Sequence, residues 1–263
     1  MIISQFPQRR TKNLLINAGF RVNQRVYVSG TATAAANEYT LDRWRVLVSG
    51  ESITFPPLGA DNTITAPAGG MGQKIESLNV KGGVYTVQWQ GTAACKVNGI
   101  ARKTGESFII PADTLTDIVF YGGSVNKPQL EEGAIQTEFD YVLFSQDKVN
   151  CFRYFHSILG SAIDEVSISI GVVANGNAAR VVVDFPVAMR VSPTVLNSGA
   201  EDFQLLRGGG SFVSVTGFSF FDIESSLRKG IHFNTAGSLV NDSGLVVRIV
   251  SGVGGYLYFD AEI

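Results

Sequence analysis

The chain has two cysteines, two histidines and two tryptophans in 263 residues, and only 17% of its residues are charged. No apolar run approaches the ~18 residues that a membrane-spanning helix needs. Each shortage closes a class of function. Cys95 and Cys151 lie 56 positions apart and form no Cys-x-x-Cys, and His156 and His232 lie 76 apart, so the pattern is neither a disulfide framework nor a zinc module. A net charge of -2 supplies no positive field to neutralise phosphates or hold an anionic membrane, which predicts no nucleic-acid partner and no membrane insertion. The opening "MIISQFPQRRTKNLLINAGF" places its apolar start before Arg9, Arg10 and Lys12, the reverse of a secretory signal, and predicts a soluble chain made without export. There is no Gly-x-Ser-x-Gly, and "RGGGSF" lacks both the Lys-Ser/Thr of a P-loop and the spacing of a dinucleotide fingerprint.

Hydrophobic residues (45%) and glycine (29 residues) are plentiful, a profile of many strands and tight turns. The length suits two domains of roughly 150 residues or fewer. "VYTVQWQ" sets Tyr85, Val87 and Trp89 on one face and Thr86, Gln88 and Gln90 on the other, the period of a half-buried strand. "CKVNGIARK" carries Asn98-Gly99 between two short runs, a strong hairpin signal, and "ESFIIP" and "TDIVFYGG" follow as further strands. In "LDRWRVLVSG" Trp44, Val46 and Val48 share one face, with Arg43, Arg45 and Leu47 opposite. "GADNTITAPAGGMGQKIE" reads as an exposed loop around one short strand. In the second half, "EVSISIGVVANGNAARVVVDFP" predicts two strands joined around Asn175-Gly176, and "VVRIVSGVGGYLYFDAEI" two more joined around Gly254-Gly255. Strands at this spacing argue for antiparallel sandwiches or barrels. The longest helical pattern runs from Ser145, read as N-cap, to Phe155, with Asp147 in the first turn and Val149, Phe152 and Phe155 as its apolar stripe.

Four ordered segments, "NLLINAGFRVNQR", "YTLDRWRV", "VNKPQLEEGAIQTEFDYV" and "NCFRYF", closely resemble a pattern of bacteriophage virion proteins. These are tail-fibre or receptor-binding proteins with a carbohydrate-binding-module-like jelly roll. The resemblance covers residues 13 to 155 and falls on Asn13, Leu14 and Gly19, then on Tyr39, Asp42, Arg43 and Trp44. It continues on Gln129, Leu130, Glu131, Gly133, Phe139 and Tyr141, and on Cys151, Arg153 and Tyr154. It implies architectural roles for these residues, with Leu130, Phe139 and Tyr141 closing the first core. The chain departs from the pattern at Thr137-Glu138-Phe139-Asp140, where many relatives read Thr-Pro-Phe-Glu, which implies a looser seam.

The expected architecture is therefore all-β, with two jelly-roll-like β-sandwiches joined by a short helix. Residues 1–12 would be a virion-docking arm, 13–143 the jelly roll, 144–157 the connecting helix and 158–263 a C-terminal β-sandwich. The implied function is a non-enzymatic virion protein, a tail fibre or similar appendage that displays adhesion domains for a host-surface glycan or receptor. A capsid or collar decoration protein is the alternative, and a polysaccharide depolymerase is a further one.

Homotrimers would give such a fibre its multivalency. Phe152, Phe155 and the "GFSFF" segment are the candidate subunit surfaces. No catalytic residue, metal ligand or cofactor is expected: a glycosidase needs carboxylates facing one another across the bond, whereas adjacent Glu131 and Glu132 would point to opposite faces of a strand. Cys95 and Cys151 read as packed residues rather than thiolates. Sugars stack on aromatic rings near loops that offer hydrogen bonds, which nominates Tyr27, Tyr39, Tyr121 and Tyr256, with Arg207 beside the triple glycine.

Overall fold

The computed structural model describes residues 12–160, 166–207, 210–223, 226–236, 239, 244–250 and 254–263. All of the arm except Lys12, and two of the three consecutive glycines, lie outside the described residues. One compact unit ends at Cys151 and takes in Ile263, and the other spans Phe152–Glu262. The fold is all-β, with α1 (Phe144–Phe152) the one α-helix among the described residues.

The first unit is built from β1 (Glu38–Tyr39), β2 (Arg45–Val46), β3 (Ile64–Ala66), β4 (Met71–Ile75) and β5 (Gly83–Gln90). These are followed by β6 (Ala94–Val97), β7 (Ile100–Arg102), β8 (Glu106–Ile110), β9 (Thr116–Tyr121) and β10 (Gly123–Glu132). They form two antiparallel sheets, ordered β1-β2-β4-β9-β6-β7 and β3-β10-β5-β8, whose inward side chains share one core. The hairpin between β6 and β7 turns on Asn98 (φ 50°) and Gly99 (φ 78°), the left-handed pair that matches the twist of the flanking strands.

On β5, Tyr85 and Val87 point into the core and Trp89 packs at its margin, 5.5 Å from the Phe120 ring. The opposite face is covered too. Thr86 is fully buried because its hydroxyl donates to the Gly133 carbonyl at 2.7 Å, so the segment after β10 lies over the back of this sheet.

Two expectations fail here for reasons of packing. Residues 71–75 are not loop: they form β4 between β2 and β9, and the glycine-rich composition that suggested a loop serves close approach, since a Cβ on Gly72 would lie 2.7 Å from the Ile118 carbonyl oxygen. Arg43 and Arg45, on the face opposite Trp44, would be expected outside if Trp44 faces the core, yet both are buried. The Arg43 guanidinium donates to the Lys74 carbonyl at 2.6 Å, and Arg45 grips both oxygens of Asp117 at 2.7 Å, so each buried guanidinium has a hydrogen-bond acceptor and Arg45 a counter-ion as well. Val48, expected inside, is 45% exposed.

α1 is shorter than its sequence pattern. Ser145 lies inside it, Phe155 belongs to the strand that follows, Val149 is exposed, and the buried face is Asp147 with Cys151, one turn apart.

The second unit contains β11 (Phe155–Leu159), β12 (Val166–Asn175), β13 (Ala178–Asp184), β14 (Thr194–Asn197) and β15 (Phe203–Arg207). It continues with β16 (Phe212–Asp222), β17 (Arg228–Thr235), β18 (Gly244–Ile249) and β19 (Tyr256–Asp260). In place of the expected sandwich, six strands close into a barrel ordered β12-β13-β17-β16-β15-β18, and β11-β19-β14 form a separate sheet. Register breaks at Ser167/Ser169 and Val215/Gly217 add twist to the long strands, which lets the sheet curl until β18 pairs with both β12 and β15. β18 and β19, read as a hairpin, therefore never pair with each other. Phe218 and Phe220 of "GFSFF" pack on the barrel's own core, Phe218 against Phe203 and Phe233 at 5.1 and 5.2 Å. Both rings stay partly exposed.

Candidate functional site

The motif Gln129-Leu130-Glu131-x-Gly133 works by alternation. Leu130 enters the core, while Gln129 and Glu131 face the other way and pin the segment 133–141. The Glu131 carboxylate accepts from the Thr137 amide (2.8 Å) and hydroxyl (2.6 Å), and the Gln129 side-chain oxygen Oε1 accepts the Asp140 amide at 2.8 Å. Gly133 starts the segment at φ 128°, a conformation that excludes most side chains, and donates its N–H to Val84. Glu132 stays exposed, 3.4 Å from the Lys81 ammonium. Tyr141, expected in the core, is 48% exposed, because its ring lies under the Arg21 guanidinium (4.6 Å) and its hydroxyl accepts from Arg21 at 2.7 Å. Phe139 packs at the margin of the core.

Between the pinned segment and β5 runs an open cleft of about 700 Å³, lined by Gln88, Trp89, Gln90, Thr104, Lys127, Gln136, Thr137, Glu138, Phe139 and Tyr141. A smaller pocket of about 260 Å³ adjoins it and shares Lys127, Phe139 and Tyr141. Lys127 sits where the β10–β5 register breaks, with φ 51°, a bulge that turns its side chain toward Asp61 at 2.9 Å. Hydrogen bonds from Asn126 and Lys127 hold the Asp61 carboxyl below its usual range. Amides, hydroxyls and aromatic rings thus line one concave surface, the mixture that grips a polyhydroxylated ligand.

The five nominated ligand residues do not line this groove. Tyr27 leans on Phe55 and donates its hydroxyl to the Thr31 carbonyl at 2.6 Å, and burial pushes its phenol pKa up. Tyr39 lies on β1 under the Arg25 guanidinium, and Tyr121 ends β9 with the Lys96 ammonium 5.1 Å from its ring centre. Arg207 donates to the Ser211 hydroxyl at 3.2 Å, and Tyr256 stacks on Tyr258 at 4.3 Å in the second unit. The groove residues went unrecognised, although "QWQ" does interleave amides with an aromatic. Burial pushes the Cys95 thiol up to about 12, in keeping with a packed residue.

Beneath the groove, Asp147 accepts the Asn17 amide at 2.9 Å and pairs with Arg21 at 3.3 Å. Burial raises its carboxyl pKa, and the Asn17 N–H and Arg21 offset that only in part. A raised carboxyl favours the protonated folded state, so its contribution is fully present below the ordinary value of 3.8 and is lost as pH climbs through the folded value. Asp147→Asn keeps the acceptor for Asn17 but cannot titrate. Relative to the wild type it should gain stability as pH rises from 3.8 through the folded value and hold that gain above it, over and above any constant offset from Arg21 losing its counter-ion. Parallel pH profiles in urea unfolding would exclude this.

No family model, curated protein or solved structure matches the chain.

Proposed function

We propose that the chain is a non-enzymatic bacteriophage virion protein, a tail fibre or similar appendage, whose first unit is a carbohydrate-binding-module-like jelly roll for a host-surface glycan. The observation that carries the binding part is the groove, where three aromatic residues, three glutamines and two threonines converge on one open surface. A sugar's apolar face stacks on an exposed ring while its hydroxyls meet the amides. Virion placement rests on the four ordered motifs that resemble phage appendage proteins. The first unit's two antiparallel sheets around one core agree with a jelly roll. Residues 1–12 would dock on another virion protein, and three copies would assemble to multiply weak sites. A monodisperse monomer in light scattering at micromolar concentration would count against that assembly.

Tyr141 is the residue to test, because it is half exposed and stands where the two cavities meet. Tyr141→Ala should weaken binding to a glycan array and to host cells by about tenfold, the equivalent of roughly 1.4 kcal/mol. Unchanged binding to both would remove the groove from the function.

A further inference from the structure

The barrel of the second unit carries an uncharged row on its outer wall. Ile170 of β12 is registered against Val246 of β18, Val246 against Leu206 of β15, and Leu206 against Phe212 of β16, so one line of apolar side chains crosses four adjacent strands. Their chain neighbours Gly171, Leu245, Val247 and Leu205 are the buried ones, and by alternation the row points outward. Ile170 is 76% exposed and Phe212 47%, and Val172, two positions along β12 on the same face, is 56% exposed. Val246 and Leu206 are half-buried.

Polar residues border the row. On one side lie Ser167, Arg248, Gln204 and Ser214, registered against one another in that order, and beyond Val172 come Arg180, His232 and Ser219. Arg180 donates to the His232 ring at 2.9 Å, and Arg248 donates to the Gln204 side chain at 2.8 Å with its guanidinium 3.5 Å from the centre of the Phe212 ring. Apolar residues scattered singly over a surface need no partner, but these adjoin. Together they leave roughly 400 Å² of apolar surface in one place, the size at which a patch marks an interaction site.

The area and the charge both suit a like partner. A standard interface takes about 800 Å² from each side, about two-thirds of it apolar between identical subunits, and the row with Val172 supplies most of that share. The row itself is uncharged, and the arginines on its flanks have acceptors in their own chain, so two such walls can meet without burying an unpaired charge.

We infer that a second copy of this chain docks on this wall, with Ile170 near the centre of the contact and Arg180 and Arg248 at its rim. The inference names a surface for the assembly proposed above and does not depend on glycan binding.

The test is light scattering of the full chain at micromolar concentration, with circular dichroism as the check on folding. The wild type should be larger than one chain. Ile170→Lys places a charge in the contact without touching the barrel's core, and it should raise the dissociation constant by at least about a hundredfold and give a monomer with the wild-type spectrum. Ile109→Lys, at an equally exposed isoleucine (75%) of the first unit, should leave the association unchanged. If Ile170→Lys loses the wild-type spectrum, the double variant Ile170→Thr, Val172→Thr, which keeps β-branched strand formers, decides by the same size measurement. A monomeric wild type would overturn both the inference and the assembly. Association that survives the Ile170 variants, or that Ile109→Lys disrupts just as much, would overturn the inference and leave the assembly to another surface.

Discussion

Asn17→Ala should destabilise the first unit by at least about 3 kcal/mol, because four hydrogen bonds, three of them buried, end on this one side chain and each buried group left unsatisfied costs about 1–3 kcal/mol. Nδ2 donates to the carbonyls of Val22 (2.8 Å) and Asp42 (3.0 Å), and Oδ1 accepts the amides of Arg21 (2.8 Å) and Val22 (2.9 Å). The residue is fully buried, and φ 55° adds a left-handed conformation that Asn tolerates better than Ala. Asn17→Gly would remove the same bonds without the backbone strain, so the gap between the two variants should be about 1–2 kcal/mol. Both tryptophans, Trp44 and Trp89, belong to this unit, so tryptophan fluorescence during urea unfolding follows it directly. A loss below about 1 kcal/mol for Asn17→Ala, the scale of a single ordinary hydrogen bond, would show that the network rearranges around the gap.

Trp44→Ala should cost about 3–5 kcal/mol, the range for deleting a large aromatic side chain from a core. Trp44 is fully buried, its ring 5.0 Å from Phe20 and 6.2 Å from Phe120, and its indole N–H donates to the Asn17 carbonyl at 3.0 Å. The side chain thus joins the core to the Asn17 network, so the two losses should not add. The double variant should fall short of the sum by about 0.5–3 kcal/mol, as residues in one network do. Trp44→Phe keeps most of the apolar area, and its cost should shrink to the lost hydrogen bond plus a small void. Full additivity would separate the core from the network.

Local patterns were legible where a neighbouring residue settles the conformation. Asn98-Gly99 specified its hairpin because the turn needs two left-handed residues in a row, and Tyr85 and Val87 face the core as alternation predicts. The same reasoning misplaced Met71–Ile75, because glycine marks both loops and close strand contact, and only the partner strand distinguishes them. It lengthened α1 through Phe155, whose burial belongs to a strand that pairs with β19 more than a hundred positions away in the chain. Of the site, Phe139 and Tyr141 were noticed for their place in a motif and assigned to the core. The Tyr141 side chain instead follows Arg21, a residue that nothing in the local pattern connects to it.

By itself, the sequence determined an all-β chain with two cysteines buried as packing residues, its two Asn-Gly turns, and the seam running from Gln129 to α1. Those features depend on backbone propensity and on contacts within a few positions. Tertiary structure alone decided that the second unit closes into a barrel, that Arg43 and Arg45 are buried with their partners, and that Gln88, Trp89, Lys127 and Tyr141 line one groove. A strand's alternation says which residues share a face, but which other strand or loop that face meets is set by long-range pairing, and a binding groove is made of such meetings.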